Sequence, residues 1–480
     1  MSNLYPQELS VFSQLFNGCK SFGCPNLGES ETARYSRSDR LGYPALHCPL
    51  CGSYPPVLEN EPIGQLIKQN YQQHLQQKLA ACPQCKPNFL YKSSAISKVL
   101  SYGVTPAGTQ RRKCASCGKI FSLLNTEQMT RKLQHLFDLL VSGEKPQDLI
   151  KCSQMHSKKF YQSLGQLSAL LRHFSRIQEQ CRLSVARNVT LMTHSQVVRC
   201  RAGVTGSHGV DLWFLSTTDA KTGYQFLQTS NLLLGDQQTK GVYNPNALEQ
   251  EIEVIPENLL KTAEKNYHKI MSRRQFDELF YCSESRSKTK EGALLRPVYG
   301  AHCHFQLLQA MFNPVKKLSI ILEHESFLRG SCIWAFSEQV KTGNCQLYYL
   351  YHAACNKEVH TSTSDEAKQR ILGWWNERWV QQAYSWHKLH WNIALGYLTK
   401  PIKNNPILTR PDWNHDFWQQ YIEWLPVTYH RKIKCETMVQ WLEIFRFIYN
   451  YLKAESRTEG LDIKDTELTS INSLVSYVNR

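Results

Sequence analysis

Eight of the seventeen cysteines stand in close pairs, and all eight precede residue 118. Cys19 and Cys24 form C-x4-C, and Cys48 and Cys51 form C-x2-C followed by Gly52. Cys82 and Cys85 form a second C-x2-C, and Cys114 and Cys117 a third, followed by Gly118 and Lys119. Two thiolates on a tight turn take one side of a zinc ion, and a second turn across a hairpin completes the tetrahedron. The metal then replaces the core that so short a segment cannot build. The pairing predicts two structural zinc sites, the first from Cys19, Cys24, Cys48 and Cys51, the second from Cys82, Cys85, Cys114 and Cys117. In the first, His47 competes with a cysteine as ligand. Disulfides are not expected of a cytosolic chain. The nine scattered cysteines read mostly as small buried hydrophobes.

These knuckles need elements to carry them. Residues 1–60 are assigned to the first ribbon and 61–122 to the second, with Gly103 and Gly108 marking a turn between two short strands. Residues 123–183 read as helical, with Asn125 or Thr126 as N-cap and Leu133, Leu136, Phe137 and Leu140 at helical spacing. Gly143 breaks the pattern, a short amphipathic turn follows, and a basic helix starts at His156 to Lys159. That order suits a helix-turn-helix, in which Lys158 and Lys159 meet phosphate and Ser157 or Gln162 a base edge. An ordinary helical linker is the alternative.

From residue 184 the texture changes to strands. NVTLMTHSQVV, DLWFLSTTDA and TGYQFLQTSNLLL are three β-rich runs, with Lys221, Thr222 and Gly223 as a hairpin turn. Residues 235–297 read as a polar insertion with helical pieces. Helix, strand, helix and strand follow through AHCHFQLLQAMF, KLSIILEHES, SFLRGSCIWAFSEQV and NCQLYYLYHA. Three antiparallel strands followed by alternating helix and strand is the order of an RNase H-like domain. Residues 366–452 read as a helical extension rich in Trp and Tyr, closing a domain assigned to 184–455 before a polar tail at 456–480. The fold class expected is multidomain: zinc ribbons, a helix-turn-helix, and an α/β RNase H-like domain with a helical C-terminal extension.

The formal charge is +16. Residues 1–185 hold 22 Lys+Arg against 11 Asp+Glu, a net of +11, leaving +5 for the rest. A basic front end suits a polyanion, because phosphate contacts dominate nucleic-acid affinity. Arg111, Arg112, Lys113 and Lys119 on the second ribbon, with Lys158 and Lys159, are the expected DNA contacts. There is no basic start followed by an apolar run, and no apolar stretch of the roughly 18 residues a membrane span needs. A cytoplasmic protein is expected.

CASCGKIFS after GTQRRK resembles the zinc-ribbon front end of bacterial insertion-sequence transposases of the DDE type. STTDAKTGYQF, GAHCHFQLLQAMF and SFLRGSCIWAF resemble that family's central strands and helices, and Leu442, Glu443, Arg446 and Tyr449-Asn450-Tyr451 its closing helix. The resemblance implies double-stranded DNA as partner, protein partners of a mobile element or defence system, a homo-oligomer, and a place on the bacterial nucleoid.

It also implies three carboxylates around two divalent metals. Where the family has Thr-Asp-x-Gln on the first strand, this chain reads Thr193-His194-Ser195-Gln196. After the fourth strand, where an Asp is expected, stand Glu323 and Glu325 around His324, with Glu325 matched to the position and Glu323 the alternative. The third, in a Leu-Glu-x-Pro-Ile pattern, reads Leu398-Thr399-Lys400-Pro401-Ile402. A neutral imidazole and a hydroxyl are poor ligands for Mg²⁺. No catalytic residue is therefore expected at His194, Glu325 and Thr399, and magnesium is expected only if the enzyme is active. The reading is a zinc-dependent DNA-binding protein derived from a transposase that has lost strand transfer. An active transposase with substituted acids and a protein-interaction scaffold are the alternatives. A histidine metal centre from His194, His302, His304 and His324, and a base-stacking tail of tryptophans around residues 374–391, are lesser ones.

Overall fold

The computed structural model describes residues 16–40, 44–74, 99–106, 110–115, 117–122, 126–201, 209–235, 253–272, 292–355, 368–373, 377–399, 406, 408–453 and 468–474. The chain divides into two compact units. One comprises Met1–Ser13, Lys68–Arg182 and Gln420–Arg480, the other Gln14–Ile67 and Leu183–Gln419.

The second unit is built on a mixed eight-stranded sheet. Strand β6 (Asn188–Cys200) pairs antiparallel with β7 (Val210–Asp219), and β7 with β8 (Gln225–Ser230). On the other side of β6 run β11 (Lys317–Leu322) and then β12 (Cys345–Ala354), each parallel to its inner neighbour. Parallel strands need crossovers. Helix α6 (Pro297–Phe312) precedes β11, and α7 (Ser326–Ala335) with α8 (Ser337–Lys341) joins β11 to β12. Helix α6 is buried over nearly its whole length, its polar side chains His302, His304 and Gln306 included. The Asp219 carboxylate accepts from the Lys221 amide and the Thr222 hydroxyl, closing the β7–β8 turn. A short pair, β9 (Leu232–Leu234) with β10 (Gly292–Leu294), stands apart from this sheet.

Three further strands extend the sheet beyond β12: β13 (Lys368–Leu372), β14 (Glu377–Trp386) and β15 (Leu389–Tyr397), in the order β13-β14-β15-β12. This corrects the helical C-terminal extension expected from residue 366. Among its described residues the extension is strand in β13 to β15 and helical from α9 (Trp413–Trp424). The reason lies in the residue types. ERWVQQAYSW and LHWNIALGY are rich in aromatic and branched side chains, which pack well on a pleated surface. A two-residue turn at His387 and Lys388, with His387 at φ 52°, joins them. Trp379 and Trp391 are buried, so these aromatics are core. On one face Met192, Ile321, Tyr348, Trp391, Ile393 and Leu395 pack together across four strands.

Helix α5 (Leu259–Ser272) is the described helical piece of the polar insertion. Strands β1 (Ser36–Ser38) and β2 (Ala45–His47), with the first part of α1 (Asn60–His74), complete this unit.

The first unit carries a three-stranded antiparallel sheet, β3 (Val99–Val104), β4 (Gln110–Cys114) and β5 (Ile120–Ser122). Helix α2 (Thr126–Val141), the four-residue α3 (Leu149–Cys152) and the 29-residue α4 (Ser157–Val185) follow. Gln154, at φ 53°, turns the chain from α3 into α4. The apolar stripes at Leu133, Leu136, Phe137 and Leu140, and at Phe160, Leu164, Leu167, Leu170 and Leu171, are buried. After the single turn α10 (Val427–His430), helix α11 (Cys435–Phe447) brings Phe447 against Phe137 and Phe174 at 5.9 and 5.8 Å between ring centroids. No helix of the described residues is long and apolar enough to cross a membrane.

Candidate metal centre and the His194–Glu323 site

Cys19, Cys24, Cys48 and Cys51 bring their four sulfur atoms within 4.8 Å of one another. Cys19 Sγ lies 3.5 Å from Cys51 Sγ, and Cys24 Sγ 3.8 Å from Cys48 Sγ. Four thiolates about 2.3 Å from one tetrahedral zinc stand roughly 3.8 Å apart, so the set fits one zinc ion. The backbone prepares it. Gly52 donates to the Cys48 carbonyl at 2.9 Å and Cys48 to that of Ser53 at 2.9 Å, with Gly52 at φ 70°. A side chain there would be strained, which explains the glycine after the second cysteine. Three of the cysteines are buried, and the Ser21 amide and Asn26 side chain reach sulfur at 3.5 Å. Burial opposes ionisation of Cys51, but the Ser53 hydroxyl and amide with Ser21 bring its thiol down to about 6. His47 stacks on Tyr54 at 4.7 Å and meets Ser36, outside the four-sulfur set.

Cys82 and Cys85 lie outside the described residues. Their expected partners repeat the first knuckle bond for bond. Gly118 donates to the Cys114 carbonyl at 2.9 Å, Cys114 to that of Lys119 at 3.0 Å, and Gly118 stands at φ 70°. Of the basic residues on this hairpin, Arg111, Lys113 and Lys119 are exposed. Arg112 pairs with Ser101 and Phe121, which puts it on the opposite face from Lys113. Ser157, Lys158 and Lys159 are exposed in the first turn of α4, and Gln162 is exposed in the second.

The second constellation sits where β6 and β11 lie side by side. His194 Nδ1 is 2.5 Å from Glu323 Oε1. The other oxygen of Glu323 accepts from the Ser195 amide at 2.9 Å and from its hydroxyl at 2.6 Å. The parallel register, Ile321 opposite Met192, extends to set Glu323 opposite His194. Glu323, the alternative, is therefore the acid that meets His194. Glu325 instead precedes α7, its carbonyl accepting from Arg329 and from Tyr349.

Thr399 lies away from His194 and Glu323. Its hydroxyl donates to Gln346 and accepts from Leu347, each at 3.0 Å, at the start of β12. Gln346 pairs with Ser319, four residues before Glu323. At about 3.3 Å per residue, that is roughly 13 Å along the strand. What stands near His194 was not foreseen. The titratable neighbours of His352 on β12 are Asp412, His415 and His194, and burial pushes its imidazole down to about 4. Asp412 and His415 belong to the start of α9, whose Asn414 meets Thr218 and whose Trp418 donates to Ser216. Only the helix-start sequence PDWNHD hints at this.

The other histidines have separate surroundings. His304 is buried between Thr217 at 2.6 Å and Thr229 at 2.9 Å. His302 accepts from Lys20 at 3.4 Å. His324 sits against Tyr349, Tyr351 and Trp379, and burial pushes it down to about 3. Among the described residues, the four N-terminal cysteines form the one cluster of His, Cys, Asp or Glu ligand atoms close enough to hold a metal. No protein-family model matches the chain, and no curated protein shows significant similarity to it.

Proposed function

We propose that this chain is a zinc-dependent DNA-binding protein, derived from a DDE-type transposase, whose central site no longer performs strand transfer. The parentage rests on strand order. β8-β7-β6-β11-β12, three antiparallel strands followed by two parallel ones reached through helices, is the order an RNase H-like domain requires. The loss of chemistry rests on one observation, the closure of Glu323 by His194 and Ser195. An imidazole, a hydroxyl and one carboxylate already engaged by both do not fit a pair of hard cations that seek open oxygen ligands.

DNA binding is supported by the matching knuckles, the exposed cations of β4 and the lysines opening α4. Zinc held by Cys19, Cys24, Cys48 and Cys51 would supply rigidity rather than catalysis, and a second ion is assigned to Cys82, Cys85, Cys114 and Cys117. Helices α2, α3 and α4 are read as the helix-turn-helix, with α4 as its recognition helix. The role is targeting, regulation or defence, with the large sheet as scaffold.

The test is a gel-retention and cleavage assay on duplex DNA. Retention that weakens on chelation, with no strand cleavage in Mg²⁺ or Mn²⁺, is the expected result. Metal-dependent nicking abolished by Glu323→Ala would replace this reading with that of an active transposase. Duplex affinity indifferent to salt would favour a protein-interaction scaffold.

A further inference from the structure

The face of the three-stranded sheet β3–β5 has a composition that duplex binding does not explain. Leu100 lies opposite Lys113, and Lys113 opposite Ile120, so the three share one face; Arg111, two residues from Lys113, joins them. Tyr102 lies there too, its ring 5.7 Å from the Lys113 ammonium. All five are exposed, Leu100 at 51%, Tyr102 at 47% and Ile120 at 42%. An aromatic ring and two aliphatic side chains in water, interleaved with cations, form a surface that is apolar and positive at once.

The charge has a second feature. From Pro62 to Thr126 the chain contains no Asp or Glu, but nine Lys and Arg. A solvated face of an ordinary domain mixes both signs. An acid-free run of this length instead complements a continuous negative backbone.

From this face we infer a binding site for a single DNA strand, with Tyr102 as the stacking platform and Arg111 and Lys113 holding the phosphates on either side. A duplex offers its phosphates but keeps its base faces stacked inside, so it would leave Leu100, Tyr102 and Ile120 in water. An unpaired strand presents both π-faces and phosphates, and stacking on an aromatic ring is independent of base identity. Apart from the Tyr102 hydroxyl, the five side chains carry no uncharged polar group to read a 2′-hydroxyl, which points to DNA over RNA. The inference rests on the nucleic-acid reading above and adds the form of the substrate: a frayed end or displaced strand beside the duplex.

The experiment is fluorescence anisotropy of the zinc-loaded full chain with a labelled oligothymidylate, the same sequence as RNA, and a duplex. Tyr102→Ala is expected to weaken oligothymidylate binding about tenfold, with Tyr102→Phe restoring it, because stacking requires the ring and not the hydroxyl. Duplex binding is expected to stay within about twofold in both variants. Tyr102 is exposed, so an unchanged thermal melt will show that both variants fold. Oligothymidylate affinity unaffected by Tyr102→Ala overturns the site, as does tighter binding of the RNA or equal displacement by polyglutamate. If duplex retention persists in those cases, only this inference fails. If the oligothymidylate binds and no duplex does, the duplex reading fails instead.

Discussion

Glu443 stands in a buried ion-pair network of the unit that holds α4 and α11. Its carboxylate meets Arg446 at 2.6 Å and Arg172 at 3.4 Å, and Arg446 reaches on to Glu179 at 2.8 Å, all of them buried. The network ties α4 to α11. Burial alone would raise the Glu443 carboxyl, but Arg446 and Arg172 bring it down to about 2. A carboxyl depressed in the folded state contributes stability that is complete above its unfolded value near 4.5 and is lost as the pH falls through 2. The depression corresponds to about 3 kcal/mol. Acid titration of chemical stability should show a loss of that order between pH 4.5 and pH 2, and Glu443→Gln should flatten it. At neutral pH, Glu443→Ala should cost on the order of 3–5 kcal/mol, since it leaves two buried guanidinium groups short of a counter-charge. A neutral-pH loss below 1 kcal/mol would mean that water reaches the cluster and screens it.

At the scale of elements, the first ribbon is part of the sheet-bearing unit and not a free finger. Phe16 packs edge-on against His302 at 5.5 Å, Lys341 pairs with Glu29 at 3.0 Å, and the Cys303 thiol donates to the Leu66 carbonyl at 3.5 Å. At Gly18 a β-carbon would stand 2.2 Å from the Glu29 carbonyl oxygen and 2.8 Å from the Trp334 ring. Chelation should therefore lower the melting temperature of the large sheet as well as loosen the ribbon. Gly18→Ala should reproduce part of that loss, about 1–3 kcal/mol for an overpacked contact, while zinc binding by the four cysteines should be unchanged. Calorimetry beside a zinc assay separates the two; a melt unmoved by chelation would detach the ribbon energetically from the core. The Cys48–Cys51 and Cys114–Cys117 turns were legible in the sequence because each is a local motif, a pair of cysteines and the glycine that takes positive φ. The β13–β15 extension was not. Tryptophan and tyrosine recur there at spacings that satisfy a helical period, and the choice of strand is made by pairing with β12, a partner outside the segment.

Over the whole molecule, the strands β6, β7, β8, β11 and β12 were legible as β-rich runs, whereas the content of the central site depended on register. His194 and Glu323 are 129 residues apart and meet because β6 and β11 run parallel with Ile321 beside Met192. Sequence matching placed the third position at Thr399, while tertiary packing brings Asp412 and His415 into the electrostatic field of His352. The uneven charge, by contrast, is readable directly and makes the broadest prediction. If residues 1–185, at +11, carry the DNA contacts, the logarithm of duplex affinity should fall linearly with the logarithm of salt between roughly 50 and 200 mM. Lys158→Ala and Lys159→Ala should each reduce that slope by about one, and should weaken unrelated sequences equally, because a lysine on phosphate reads charge and not bases. Gln162→Ala, on the same exposed opening of α4, should leave the slope intact and alter the preference among sequences instead. A slope unchanged in both lysine variants would move the duplex contact away from α4, and with it the recognition-helix role.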